Sequence, residues 1–323
     1  MPRVDTAPGS QSGPFGSLTP LAGGYGGETF LAETAGQRTV VRVYAESGVR
    51  RGADAPEVDA AVLHLVRGLV PVPDVLEVRR GEPEADLPGL LITSFVPGER
   101  LDLLLPTLDD AALAALGTAC GDLAGRLACI PMPRPGVLAV ADGGSLVVTP
   151  LPQGWQDLPA YAEQQLAVLG LDERAGQRLL DLAQAAQDRL DRVGRASLVH
   201  SDLNPKNLLV DPDSLHVTAL LDWEFAHAGS PLTDIGNLLR FERRPAFRAG
   251  VLAGYRARVP DAPDDLEQAA EAADLWALLE LAGRSQRNRI TAAAYHLLVA
   301  RLVGPAGRAG ARPASWTPPP MRG

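Results

Sequence analysis

Residues 197–210 read Ser197-Leu-Val-His200-Ser-Asp202-Leu-Asn204-Pro-Lys206-Asn207-Leu-Leu-Val210, and further on comes Leu220-Leu-Asp222-Trp-Glu224. Ser197–Val199, Leu208–Val210 and Val217–Leu221 are short apolar runs that read as buried strands, with polar residues only at their edges. A loop leaving one strand and a residue ending the next then converge on one point. There Asn207 and Asp222 offer hard oxygen ligands to a metal already carrying phosphates, and Asp202 stands a few residues away to orient an attacking hydroxyl. The pattern H-x-D-x-x-x-x-N with a later Asp at a strand end is the one used for Mg²⁺-dependent phosphoryl transfer. A strand-turn-strand hairpin could produce the same letters, since Asp, Asn and Pro are ordinary turn residues. Asp222, 15 residues after Asn207, and further elements upstream in the right order separate the two readings. His200 reads as a packed, hydrogen-bonded loop residue rather than a base.

Upstream, the strand-like Thr39-Val-Val-Arg42-Val-Tyr44 supplies Arg42 as the cation for nucleotide phosphates, which a guanidinium would grip as a fork rather than a point charge. Period-2 alternation would also allow Arg42 to face outward. Ahead of it, Leu21-Ala-Gly23-Gly24-Tyr25-Gly26-Gly27-Glu28-Thr29-Phe30 reads as strand, turn, strand. Gly23, Gly24, Gly26 and Gly27 would let backbone N–H groups approach phosphates, and Thr29 stands where G-x-G-x-x-G has its third glycine. An ordinary tight hairpin explains the same residues, and only its place before Arg42 joins it to a phosphate site. Pro56–Leu69 has apolar residues near helical spacing and reads as a helix whose acid pairs with Arg42. Spacing favours Asp59 for that partner, with Glu57 a longer-reaching alternative, and a solvated helix face accommodates either. Gly89–Gly98 reads as a buried strand ending in a Pro-Gly turn. Lys206 is the only lysine in the chain, so no Walker A loop exists.

His200–Asn207 (HSDLNPKN), Leu220–Ala226 (LLDWEFA) and Gly229-Ser-Pro-Leu-Thr-Asp234-Ile-Gly236 resemble the aminoglycoside phosphotransferase and choline kinase-like family of small-molecule kinases. The resemblance covers most of residues 18–300. It implies an α+β, bilobal protein-kinase-like fold, with a five-stranded small lobe at 18–96 and a mainly helical large lobe at 97–303. It implies ATP or GTP with Mg²⁺, and phosphoryl transfer to a hydroxyl of an aminoglycoside-like, amino-sugar, choline-like or related acceptor. Asp202 would then deprotonate the acceptor, Asn207 and Asp222 would hold Mg²⁺, and Arg42 with residues 23–29 would hold the phosphates. The family carries Lys or Arg where Arg42 stands, and usually Glu where Asp59 stands. Backbone at Ser94 and Val96 would meet an adenine edge, and Asn204 and Lys206 would face the gap, Lys206 neutralising transferred phosphate. Asp234 would cap a helix or brace the catalytic loop, and Glu224 would stand behind the metal or be a surface acid. Protein kinases match less well: Asp234 follows Asp222 by only 12 positions, which leaves no room for a long activation loop, and Asp-Trp-Glu replaces Asp-Phe-Gly.

The remaining chain reads as helices over 109–129, 157–169, 172–193, 232–241, 246–258, 263–282 and 285–302. A hairpin on an Asp-Gly turn is expected at 137–148. Residues 1–17 and 304–323 are rich in Pro, Gly and Ala or Ser and read as disordered tails. With 46% apolar residues the chain can build a sizeable core, and a net charge of -9 disfavours nucleic acid as a partner. No leader pattern or long apolar stretch is seen, so no membrane span and a cytoplasmic location are expected. Cys120 and Cys129 read as reduced core residues, and the five histidines lack zinc-ligand spacing. Acids gather from Asp261 to Asp274, which favours a cationic acceptor if they face a cleft, or else marks a helix start and a solvated face. Two rivals to an enzyme are a nucleotide-binding regulator with little turnover and a partner-binding scaffold.

Overall fold

Period-2 alternation builds the first sheet. A computed structural model of the chain describes residues 16–21, 28–44, 51–85, 87–151, 157–284 and 288–307. Gly23, Gly24, Gly26 and Gly27 lie outside the described residues, as do 1–15 and 308–323 of the expected tails. Strands β1 (Ser17–Pro20), β2 (Glu28–Thr34) and β3 (Gln37–Tyr44) follow one another, then α1 (Ala55–Val66), β4 (Val75–Arg79) and β5 (Gly89–Ser94). β2 and β3 are joined by Ala35-Gly36, both at positive φ (51° and 79°), the backbone that a two-residue hairpin turn demands. The five strands pair antiparallel in the order β1-β2-β3-β5-β4, the number expected. This register sets Arg42 opposite Thr29 on one side and Leu91 on the other. Helix α1 ends at Val66, short of the expected Leu69, and Gly68 follows at φ 79°.

Next come β6 (Glu99–Arg100), the short α2 (Leu101–Leu104), α3 (Asp110–Ala128), β7 (Pro131–Met132), β8 (Gly136–Val140) and β9 (Leu146–Thr149). Asp109 caps α3 by accepting from the Ala112 N–H at 2.8 Å. Helices α4 (Leu158–Leu169) and α5 (Glu173–Leu190) lead to β10 (Ala196–Val199), β11 (Leu208–Val210), β12 (Val217–Leu220) and β13 (His227–Gly229). The chain then runs through α6 (Thr233–Leu239), α7 (Pro245–Arg258), α8 (Leu266–Ala273), α9 (Leu275–Ala282) and α10 (Arg289–Gly307). The single helix expected over 263–282 is thus two, separated at the buried Asp274. Two further sheets, β7-β10-β13-β8-β9 and β12-β11-β6, flank the loop 200–207, and the expected hairpin is β8–β9.

The chain forms two compact units, Met1–Leu151 with Gly194–Ala270, and Pro152–Val193 with Glu271–Gly323. The first carries every described candidate site residue. Within it α3 and α7 pack with their backbones nearly touching: a Cβ on Gly121 would lie 2.0 Å from the Val251 carbonyl oxygen, and one on Gly254 2.1 Å from that of Thr118. The second unit has its own core, including Leu158, Leu179, Leu278 and Leu298, with Tyr161 stacked on Trp276 at 4.5 Å. Both cysteines are free thiols; Cys120 is buried, which pushes its thiol up to about 12, but Cys129 at the end of α3 is exposed and not a core residue. Among the described residues no helix is long and apolar enough to cross a membrane.

Candidate active site

The loop after β10 is held from behind. Asp234, 1% exposed, accepts the His200 N–H at 2.9 Å and the Ser201 N–H at 2.8 Å, one on each carboxylate oxygen. Of its two expected roles Asp234 takes the bracing one, since no side chain caps α6. Burial pushes its carboxyl above the usual range, and the nearby His200 and the two N–H donors work against that shift. Ser201, at φ 67°, stands where the resembled motif has glycine, and its donated bond to Asp234 offsets the strain of that conformation. His200 is fully buried, as expected for a packed residue. Its Nδ1 accepts the Asp202 N–H at 3.2 Å, which leaves Nε2 to donate to the Leu221 carbonyl at 2.9 Å.

Three side chains converge on the Asp202 carboxylate. Asn204 Nδ2 donates to Oδ1 at 2.6 Å, Asn207 Nδ2 to Oδ2 at 2.9 Å, and Lys206 Nζ lies 3.2 Å from Oδ2. With its side-chain nitrogen spent on Asp202, Asn207 has its side-chain Oδ1, not its backbone carbonyl, to offer a cation. Leu208 pairs with Leu220, and the Leu221 N–H donates to the Asn207 carbonyl at 2.8 Å, so Asn207 and Asp222 sit at neighbouring strand ends. No cluster of three or more His, Cys, Asp or Glu able to hold a metal occurs among the described residues. The donor set nonetheless suits Mg²⁺, which keeps several waters and takes one or two protein oxygens plus substrate phosphates.

Arg42 faces inward, and its partners correct one expectation. Nη1 donates to Asp222 Oδ1 at 3.0 Å and Nη2 to Glu224 Oε2. Asp59 does not take Arg42: its two oxygens accept from the Tyr44 hydroxyl, at 2.7 Å, and from Arg51. The shorter Asp arm serves two donors close at hand, while two acids draw Arg42 the other way. Glu224 is therefore neither a surface acid nor detached from the site; burial and the neighbouring Asp222 push its carboxyl above the usual range, opposed by Arg42. Nothing periodic or local in the sequence marks Arg51 or the bonds of Tyr44 and Glu224.

A cavity of about 430 Å³ gathers the pieces. Its lining includes Thr29, Arg42, Asp59, Ser94, Val96, Lys206, Asn207 and Asp222. The Ser94 N–H donates to the Asp74 carbonyl at 2.8 Å.

Against known proteins, residues 17–272 match the model of the phosphotransferase enzyme family, APH. The chain belongs to this family. Acyl-CoA dehydrogenase family member 10 of Mus musculus is 25% identical to this phosphotransferase-family chain over 236 residues, 72% of the chain but 21% of that protein. The chain thus spans about a fifth of that relative's length. Among solved structures, a thermostable mutant of aminoglycoside phosphotransferase APH(4)-Ia, in ternary complex with ADP and hygromycin B, has a TM-score of 0.61 at 18% identity, covering 91% of this chain and 94% of that one. Aminoglycoside 2'-phosphotransferase-IIIa, as its GDP complex, has a TM-score of 0.64 at 19% identity, covering 90% and 93%. These likenesses bear out the kinase-like α+β fold class.

The acids between Asp261 and Asp274 do not form a free negative field. Asp261 is 3.3 Å from Arg195, Glu267 takes Arg248, and Asp274 is buried; in the second unit Glu271 lies 3.9 Å from Arg301. Arginine pairing thus offsets part of the negative charge of this stretch.

Proposed function

We propose that this phosphotransferase-family chain is a small-molecule kinase that moves the γ-phosphate of ATP or GTP, with Mg²⁺, onto a hydroxyl of a small acceptor. The observation that carries this reading is the meeting of Arg42, Lys206, Asn207 and Asp222 around one cavity, with the Asp202 carboxylate bonded to two of them. Residues 18–96 would serve as the nucleotide lobe and 97–303 as the catalytic and acceptor lobe, in a cytoplasmic enzyme. The acceptor would be aminoglycoside-like, an amino sugar, choline-like or a related metabolite.

Asp202 is held in one orientation by its donors, so a hydroxyl entering the site finds a fixed acceptor for its proton. As the alcohol oxygen forms its bond to phosphorus, the bond to the nucleoside diphosphate breaks and the alcohol proton passes to Asp202 Oδ. Arg42 brings its guanidinium charge to the phosphates, and Lys206 adds a compact charge beside the transferred group. The Ser94 carbonyl and the Val96 N–H would align the base. Asn207 and Asp222 would hold Mg²⁺, which supplies neutralisation of the phosphate charge when bound. Asp222→Ala should abolish Mg²⁺-dependent ATP binding in a calorimetric titration. Unchanged affinity would remove Asp222 from the metal site.

A further inference from the structure

In protein kinases the strand cation that grips the phosphates is itself positioned by an acid on the small-lobe helix. Here that helix acid is committed elsewhere. Asp59, 3% exposed, spends one oxygen on Tyr44 and the other on Arg51, and Arg51 also donates to the Ala226 carbonyl. The two arms of Arg42 instead reach Asp222 and Glu224, and the tyrosine ring of Tyr44 lies 5.2 Å from its guanidinium carbon.

We infer that Glu224 is the positioning residue for Arg42, and that Asp59 positions Arg51 instead. This rests on the kinase reading above. Asp222 cannot carry the task alone, because a metal on its carboxylate competes with Arg42 for the same oxygens. Glu224 takes the other arm of Arg42 from a turn that is held in place. Its neighbour Trp223 is 3% exposed, donates Nε1–H to the Leu220 carbonyl at 3.1 Å, and packs against the His200 ring at 4.6 Å. The Arg42 and Glu224 side chains are 14% and 15% exposed, so their attraction is screened far less than that of a surface pair. Arg51, through Ala226, separately ties the segment after Glu224 to helix α1.

Two double-mutant cycles on the full chain test this: Arg42→Gln with Glu224→Gln, and Arg42→Gln with Asp59→Asn. Each is read as the KM for ATP beside kcat, and as the urea unfolding equilibrium of the nucleotide-free protein. Glu224→Gln should raise the KM about ten-fold with a smaller loss in kcat, Glu224→Asp should recover part of it, and the Arg42–Glu224 cycle should be non-additive by about ten-fold in KM and about five-fold in the unfolding constant. The Arg42–Asp59 cycle should couple at least about three-fold more weakly than the Arg42–Glu224 cycle, since the two share only Tyr44 and no direct bond. Additivity between Arg42 and Glu224, or strong coupling between Arg42 and Asp59, overturns the inference. Should Asp59→Asn not fold, the Arg42–Glu224 cycle decides alone. The unfolding readout needs no turnover, so a failure of the kinase reading leaves this pairing separately testable.

Discussion

A carboxylate that accepts from Asn204, Asn207 and Lys206 together is fixed in orientation before any acceptor arrives, and Asp202 is such a group. Asp202→Asn should therefore keep the fold and nucleotide binding but slow turnover by roughly 10² to 10⁴, the usual worth of a positioned base. Steady-state kinetics beside thermal unfolding would check this, and near-wild-type kcat would remove Asp202 from the chemistry. Asp234→Ala should act differently, since it leaves the His200 and Ser201 N–H groups without their acceptor. It should cost about 3 kcal/mol of stability in urea denaturation and lower kcat as the loop relaxes. At this scale the meeting of Arg42, Asn207 and Asp222 around one cavity, with Asp202 bonded to Asn207, was legible because short apolar strands leave polar residues only at their ends. The bonds of Arg51 and Glu224 were not: Arg42 and Glu224 stand 182 residues apart, and no local pattern records a pairing of that span.

Among the elements, the α3–α7 contact is the most sensitive to one added methyl group. Gly121→Ala or Gly254→Ala would drive a Cβ into a backbone carbonyl, which cannot rotate aside as a side chain can. Each should destabilise by about 1–3 kcal/mol in chemical denaturation, the usual cost of overpacking. Gly194→Ala is the control: nothing lies within 4 Å of its added Cβ, so it should change stability by no more than about 0.5 kcal/mol. Equal effects at all three positions would refute the close approach. Helical periodicity made both helices readable, but not their close contact, which Gly117, Gly121 and Gly125 line at four-residue spacing. The break between α8 and α9 had no sign in the sequence either, since Ala-Ala-Asp274-Leu-Trp contains neither Pro nor Gly. Burial of Asp274, a tertiary effect, marks it instead.

For the whole molecule, family membership spans 17–272, and the described candidate site falls entirely within that span. Helices α9 and α10 lie beyond it, in the second compact unit. The kinase-like fold class was readable from three motifs in the right order, whereas the division into compact units was not, because 152–193 joins a segment far along the chain. The pairing of the acids after Asp261 was not readable in the sequence for a related reason: the arginines bonded to Asp261 and Glu267 come from other parts of the chain. The most direct test of kinase function is transfer of labelled γ-phosphate from ATP and from GTP to a panel of neutral, cationic and anionic alcohols, with and without Mg²⁺, by the wild type and by Asp202→Asn. The wild type should phosphorylate at least one alcohol only when Mg²⁺ is present, and Asp202→Asn should do so roughly 10² to 10⁴ times more slowly. No transfer from either nucleotide to any alcohol, or equal transfer by Asp202→Asn, would contradict it.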